Sequence, residues 1–175
     1  MRFLLITIFS LFFSVSVNSQ EKLITFPGDF FGIYKGNLLI STEKGDRNIP
    51  MEFHLLATDS VGKYVYTLIY GEGETKQERL YNLIEKDKEK GRYVVDENNG
   101  IILDCNVINN KMYTLFEVND TLLTTFITFE TKSMVFEIIA TPKSKKEVTY
   151  SDDEAKTEVI SYPISTIQRG VLQKQ

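Results

Sequence analysis

Cysteine, histidine and tryptophan are nearly missing from this chain: 175 residues contain one Cys, one His and no Trp. A lone Cys105 excludes an internal disulfide framework, so stability has to come from packing. One His and one Cys cannot supply the usual ligands of a zinc site. A serine–histidine–aspartate triad would have to use His54, and no Gly-x-Ser-x-Gly motif is present. We therefore predict no catalytic residues, no metal and no cofactor.

Strong charge and long apolar runs are also scarce. The formal net charge is −4, and a mildly acidic chain with scattered lysines argues against nucleic acid or an anionic membrane as the main partner. Downstream of the N-terminus, no run is long and apolar enough to span a bilayer. Phosphate-binding and dinucleotide-binding loops are absent, since "GEGE" at 71–74 lacks the strand–turn–helix setting they need.

The first twenty residues, "MRFLLITIFSLFFSVSVNSQ", have the pattern of a secretory signal peptide. Arg2 is followed by an apolar and small stretch from Phe3 to Val17, and Val17 and Ser19 suit a signal peptidase. We predict a signal peptide at 1–19 and an exported domain at 20–175, in the periplasm or the extracellular space. The alternative is an uncleaved membrane anchor, although a stretch of about 15 residues is short for that purpose.

Alternation with period two dominates the rest of the chain. It is clearest in "MEFHLLA", "KYVYTLIY", "RLYNLI", "GIILDCNVI" and "TLLTTFITF", and a final candidate strand is "VISYPISTIQRGVL". Short turn-forming segments such as "DENNG" separate the runs, and no convincing helix is present. The pattern predicts an all-β domain, a barrel or a sandwich. Our prediction is one antiparallel up-and-down barrel of about 8–10 strands, with a polar loop at about 141–158.

The run "FFGIYKGNLLI" at 30–40 places Gly32, Tyr34 and Gly36 on one strand face. Glycine in a strand weakens it unless it marks a bend or a close approach, and a barrel needs such places. The alternative is two tolerated glycines in an edge strand. The Gly-x-Tyr-x-Gly pattern resembles the opening strand of calycin-type barrels, which include lipocalins, fatty-acid-binding proteins and nitrobindin-like proteins. In lipocalins a late arginine packs over the aromatic ring, and the resemblance gives that role to Arg169.

The resemblance also suggests what the barrel does not bind. Haem in nitrobindin-like barrels is held by a late-strand histidine, and no histidine follows His54. The chain as a whole is similar to small exported proteins of Bacteroidota that have no assigned function. The features that carry this likeness are the signal ending in Ser-Gln, "IYKGNLLI", "DENNGIILD" and "SYPISTIQRGVL".

The sequence also predicts whether certain polar residues face the core or the solvent. We expect Cys105 in the core and His54 outside. Asp104 and Glu137 lie within apolar strands, where a carboxylate belongs on the solvent face.

Tyrosines are the most suggestive feature for function. Tyrosine gives an apolar wall with a hydrogen-bonding tip, as ligand sites in barrel mouths require. The leading hypothesis is non-enzymatic binding of a small, largely apolar ligand inside the barrel. The predicted lining is Tyr34, Phe53, Tyr66, Tyr70, Tyr81, Phe116 and Phe136, with Arg79 as a polar anchor. Tyr93 and Tyr113 lie on nearby strands. The alternatives are a packed interaction or structural module, whose rings merely fill the core, and a lyase or hydrolase in the barrel mouth.

Overall fold

The computed structural model describes residues 25–175, so the predicted signal peptide at 1–19 lies outside the described residues. Within that part, helix is limited to three 3-10 turns: Gly28–Phe30, Gly73–Thr75 and Lys143–Lys145. None of its helices is long and apolar enough to cross a membrane. The twelve strands of this part are β1 (Gly32–Thr42), β2 (Gly45–Ala57), β3 (Lys63–Tyr70), β4 (Gln77–Asp87), β5 (Arg92–Asp96), β6 (Ile102–Ile108), β7 (Lys111–Val118), β8 (Thr121–Phe129), β9 (Ser133–Pro142), β10 (Glu147–Tyr150), β11 (Glu158–Ser161) and β12 (Thr166–Lys174).

Ten of these strands form one closed antiparallel barrel in the order β1-β12-β9-β8-β7-β6-β5-β4-β3-β2. The last strand closes the barrel against the first, with Leu38 opposite Gly170. Closure removes every free sheet edge from the barrel. The predicted all-β, up-and-down barrel is confirmed, and it fits a calycin-like fold.

The polar segment between β9 and β12 is more ordered than a loop. β10 and β11 pair with each other as a separate two-stranded hairpin. The predicted final strand over "VISYPISTIQRGVL" is wrong in its extent, because β11 ends at Ser161 and β12 begins at Thr166. Pro163 lies in the break, where it cannot donate a ladder hydrogen bond. Its carbonyl accepts one from Thr141 Oγ1 at 2.6 Å.

The two glycines of β1 make room for β12. A Cβ at Gly36 would lie 2.7 Å from the backbone oxygen of Val171. A Cβ at Gly32 would lie 2.6 Å from Cε of Lys174. β1 pairs on both sides, so it is not an edge strand, and the close-approach interpretation of these glycines holds.

Arg169 does not pack over Tyr34, contrary to what the lipocalin resemblance implied. Arg169 is an odd-numbered position of β12, on the outer face, and its Nε lies 3.4 Å from the Glu137 carboxylate. The cation near the Tyr34 ring is Lys174, with its Nζ 5.9 Å from the ring centroid. Gly32 leaves the space through which the Lys174 stem runs.

Aromatic residues from the N-terminal segment close one end of the barrel. Phe26 and Phe30 are buried, and their rings lie 5.4 and 5.5 Å from the ring of Phe129. The Tyr34 hydroxyl donates to the Phe30 carbonyl at 2.6 Å, which ties this plug to β1. Phe26 also meets Tyr93 edge-on at 5.3 Å. At this end, therefore, the interior of the barrel is filled by apolar side chains.

The expected sides of the wall are confirmed at four positions. Cys105 is buried. His54 faces outward, with its Nε2 3.1 Å from a Glu52 oxygen, and Asp104 and Glu137 also lie on the outer face.

Tyr113 also lies on the outer wall. Its ring contacts Phe126 there at 5.7 Å, so Tyr113 does not belong with the inward tyrosines.

Candidate functional site

A cavity of about 700 Å³ occupies the half of the barrel away from the aromatic plug. It opens between the end of β3, the start of β4, the β5–β6 turn and the β7–β8 turn. Residues at those places, Tyr70, Arg79, Glu97 and Asn119, form its rim. The volume falls within the roughly 300–1,000 Å³ range of small-molecule sites.

Six of the eight residues predicted to line a ligand site line this cavity. The walls and rim contain Tyr66, Tyr70, Arg79, Tyr81, Phe116 and Phe136. These residues come from four strands, β3, β4, β7 and β9, and they meet because each is on the inward parity of its strand.

The other two predicted residues, Tyr34 and Phe53, do not line the cavity. Both are completely buried in the core between the cavity and the plug. Phe53 meets Tyr66 edge-on at 4.9 Å and Phe129 at 5.9 Å. Tyr34 and Phe53 do point into the barrel, as predicted. They point toward the end that residues 25–31 fill, so they meet packed side chains and no cavity.

Several lining residues were missed in the sequence. Leu68, Val95, Leu103 and Ile138 supply apolar wall. Period two could have found them, because each shares the parity of a predicted inward residue. Thr114 and Thr125 also face the cavity; threonine is ordinary in strands of either face, so nothing marked them.

Charged groups are confined to the cavity rim. Arg79, on the rim, is exposed and interacts with the Tyr81 hydroxyl, as does Glu97 from across the mouth. Burial raises the pKa of Tyr81 and the Glu97 carboxylate raises it further, while the Arg79 charge opposes them. The rim thus presents a cation, an anion and a neutral phenol side by side, which suits a polar group at the mouth.

The inner tyrosines are neutral hydrogen-bonding groups. Burial raises the pKa of Tyr66 and of Tyr70 well above their ordinary value. A phenol held in its neutral form cannot act as a base near pH 7. The interior can therefore make apolar contacts and neutral hydrogen bonds, and neither of these tyrosines can serve there as a general base.

No metal centre is formed by residues 25–175: nowhere in that range do three or more His, Cys, Asp or Glu side chains come together in a way that could hold an ion.

Comparisons with known proteins assign the chain to no family. No family model matches it, and no curated protein matches it in sequence. Among solved structures, it is similar to a protein of unknown function from the DUF3598 family, from Nostoc punctiforme. That match has a TM-score of 0.49 and 10% identity and covers 85% of this chain. The chain spans about half of that structure, 48% of its length.

Proposed function

We propose that this protein is an exported, non-enzymatic carrier or receptor that holds a small, largely apolar ligand in its barrel. The observation that supports the proposal is the cavity of about 700 Å³, walled by aromatic and aliphatic side chains and bordered by a few polar groups. Such a combination is typical of ligand sites. Arg79 at the rim serves as the polar anchor.

The cavity favours this proposal over a packed interaction module, which would need the interior only for stability. Filling a barrel completely is the rule where no ligand is held, because an empty apolar void weakens packing. The raised pKa values of Tyr66, Tyr70 and Tyr81 keep these phenols protonated near pH 7, which argues against any of them as the general base of an enzyme.

Native mass spectrometry of protein exported by its own host tests the proposal. We expect extra mass that leaves on unfolding, and a mature chain beginning at Gln20 or Glu21. The latter result tests the signal peptide, which together with the likeness to exported Bacteroidota proteins forms part of the proposal. A full-length chain that stays in the cell would contradict the proposed export, but it would leave the proposal of ligand binding in the cavity unaffected.

A matched pair of variants locates the ligand. Ile138→Trp fills the cavity, since Ile138 lines it, whereas Ile139→Trp puts the same ring on the outer face of the same strand. We expect loss of the bound mass only in Ile138→Trp, with both variants folded by circular dichroism. Equal retention by both variants would place the ligand outside the barrel, and no bound mass in any sample would support the packed module.

A further inference from the structure

Three hydroxyl side chains form part of the inner cavity wall although they are almost completely buried. The exposed fractions are 5% for Tyr66, 6% for Thr114 and 8% for Thr125, and all three line the cavity. They lie on β3, β7 and β8, so they are brought together by closure of the barrel.

None of these three hydroxyls forms a hydrogen bond with another group in residues 25–175. Two other buried hydroxyls of the barrel are paired, since Tyr34 donates to the Phe30 carbonyl and Thr141 to the Pro163 carbonyl. In the same range, every fully enclosed side-chain nitrogen or oxygen has a partner. The three unpaired oxygens are therefore open to the cavity. Buried polar groups normally have partners, and here only the cavity contents can provide them.

Two of the three hydroxyls are neighbours, and the third lines the same cavity. Thr114 and Thr125 are directly opposite each other in the β7–β8 ladder, and Thr114 is opposite Cys105 in the β6–β7 ladder. Tyr66, on β3, lines the same cavity as these two threonines. We call Tyr66, Thr114 and Thr125 the hydroxyl floor.

Charge complementarity at the hydroxyl floor points to a neutral group. The charged residues that line the cavity are Arg79, Glu97 and Glu117, and they lie toward the ends of their strands at the mouth. A linear alkyl acid anchored at Arg79 would press bare methylene groups against the hydroxyl floor and leave three hydroxyls unpaired, which is unfavourable.

The wall above the hydroxyl floor is aromatic. Tyr66 and Tyr81 are stacked, with centroids 6.3 Å apart and ring planes 21° apart, and Phe116 and Phe136 contribute two more rings. Flat apolar ligands suit such a wall because ring faces give a large contact area at little entropic expense.

Resting on the proposed function, we propose that the ligand is an apolar ring compound whose buried end carries a neutral hydroxyl or carbonyl group, hydrogen-bonded by Tyr66, Thr114 and Thr125. A ligand hydroxyl can both donate to and accept from these side chains, whereas a ligand carbonyl accepts from their O–H groups.

The test compares 1-hydroxypyrene with 1-methylpyrene, two fluorescent probes of nearly equal shape that differ in hydrogen bonding. Each is titrated into the mature protein at pH 7 and followed by fluorescence anisotropy. Simple hydrophobicity favours the methyl compound. We expect the hydroxyl compound to bind about tenfold more tightly, which corresponds to about 1.4 kcal/mol.

Variants without the hydroxyls identify the groups responsible. Tyr66→Phe and the double change Thr114→Val with Thr125→Val remove the hydroxyls with little change of shape, and we expect each to abolish the preference. Tyr113→Phe and Thr124→Val make the same chemical changes on the outer wall and should retain it. Circular dichroism establishes that all four are folded.

The outcomes separate this inference from the proposed function. Equal binding of both probes, or a preference that survives in the floor variants, would overturn the inference and leave the proposed function standing, with water as the partner of the hydroxyl floor. Binding of neither probe would count against both.

Discussion

Replacing Gly36 by alanine tests whether close contact between β1 and β12 is what requires glycine there. The added Cβ would lie 2.7 Å from the Val171 carbonyl oxygen and 3.0 Å from Cδ2 of Leu172. A backbone oxygen cannot rotate away, so the two strands have to separate. Overpacking of this kind destabilises by roughly 1–3 kcal/mol. The change from glycine to alanine also stabilises the protein by roughly 0.4–1 kcal/mol, because it lowers the conformational entropy of the unfolded chain.

The expected net loss for Gly36→Ala is therefore about 1–2 kcal/mol of unfolding free energy. For a chain of this size, that lowers the Tm by roughly 2–8 °C. Urea denaturation followed by far-UV circular dichroism measures the free energy, and a thermal scan measures the Tm.

Gly32→Ala is the matched variant, because its Cβ would meet only the flexible stem of Lys174. Displacing that stem disturbs the cation–π contact with Tyr34, which is worth about 0.5–1 kcal/mol. The stabilisation that alanine gives by restricting the unfolded chain is of similar size, so we expect little net change in the free energy of unfolding. Gly28→Ala, with nothing within 4 Å of the new Cβ, is the control for open space. Equal destabilisation by Gly36→Ala and Gly32→Ala would refute the reasoning.

Two further predictions follow from buried ionisable groups. Burial raises the pKa of Cys105 to about 12, so we expect no reaction with a disulfide reagent at pH 8 until denaturant is added, when one equivalent should react; rapid labelling of the folded protein would contradict this burial. Burial also raises the pKa of Tyr34 and of Tyr93 from 10.0 to about 12. Their folded pKa values exceed the unfolded ones, so their contribution to stability is complete below pH 10 and is lost as the pH rises toward 12. Urea midpoints measured from pH 8 to 11.5 should fall less steeply for Tyr34→Phe with Tyr93→Phe, and an unchanged slope would exclude these two residues as the cause.

Local patterning predicted the wall of the barrel well. Because side chains alternate along a strand, the parity of "MEFHLLA" was enough to place Phe53 inside and His54 outside. The same argument placed Tyr66, Tyr81 and Phe116 on the inner face, where they line the cavity. Parity cannot tell how deep an inward side chain lies, which is why Tyr34 and Phe53 were predicted as cavity residues.

The sequence by itself determined the class of fold and the inward face of most strands, since both follow from a period of two and from turn residues between short runs. Only the tertiary structure decided which inward residues meet empty space. Residues 25–31 fold back to fill one end with Phe26 and Phe30, a contact between segments that no local pattern encodes. Closure then brought Tyr66, Thr114 and Thr125 from three separate strands to one cavity, because strand tilt and register, set by the packing of the whole barrel, determine which residues share a level.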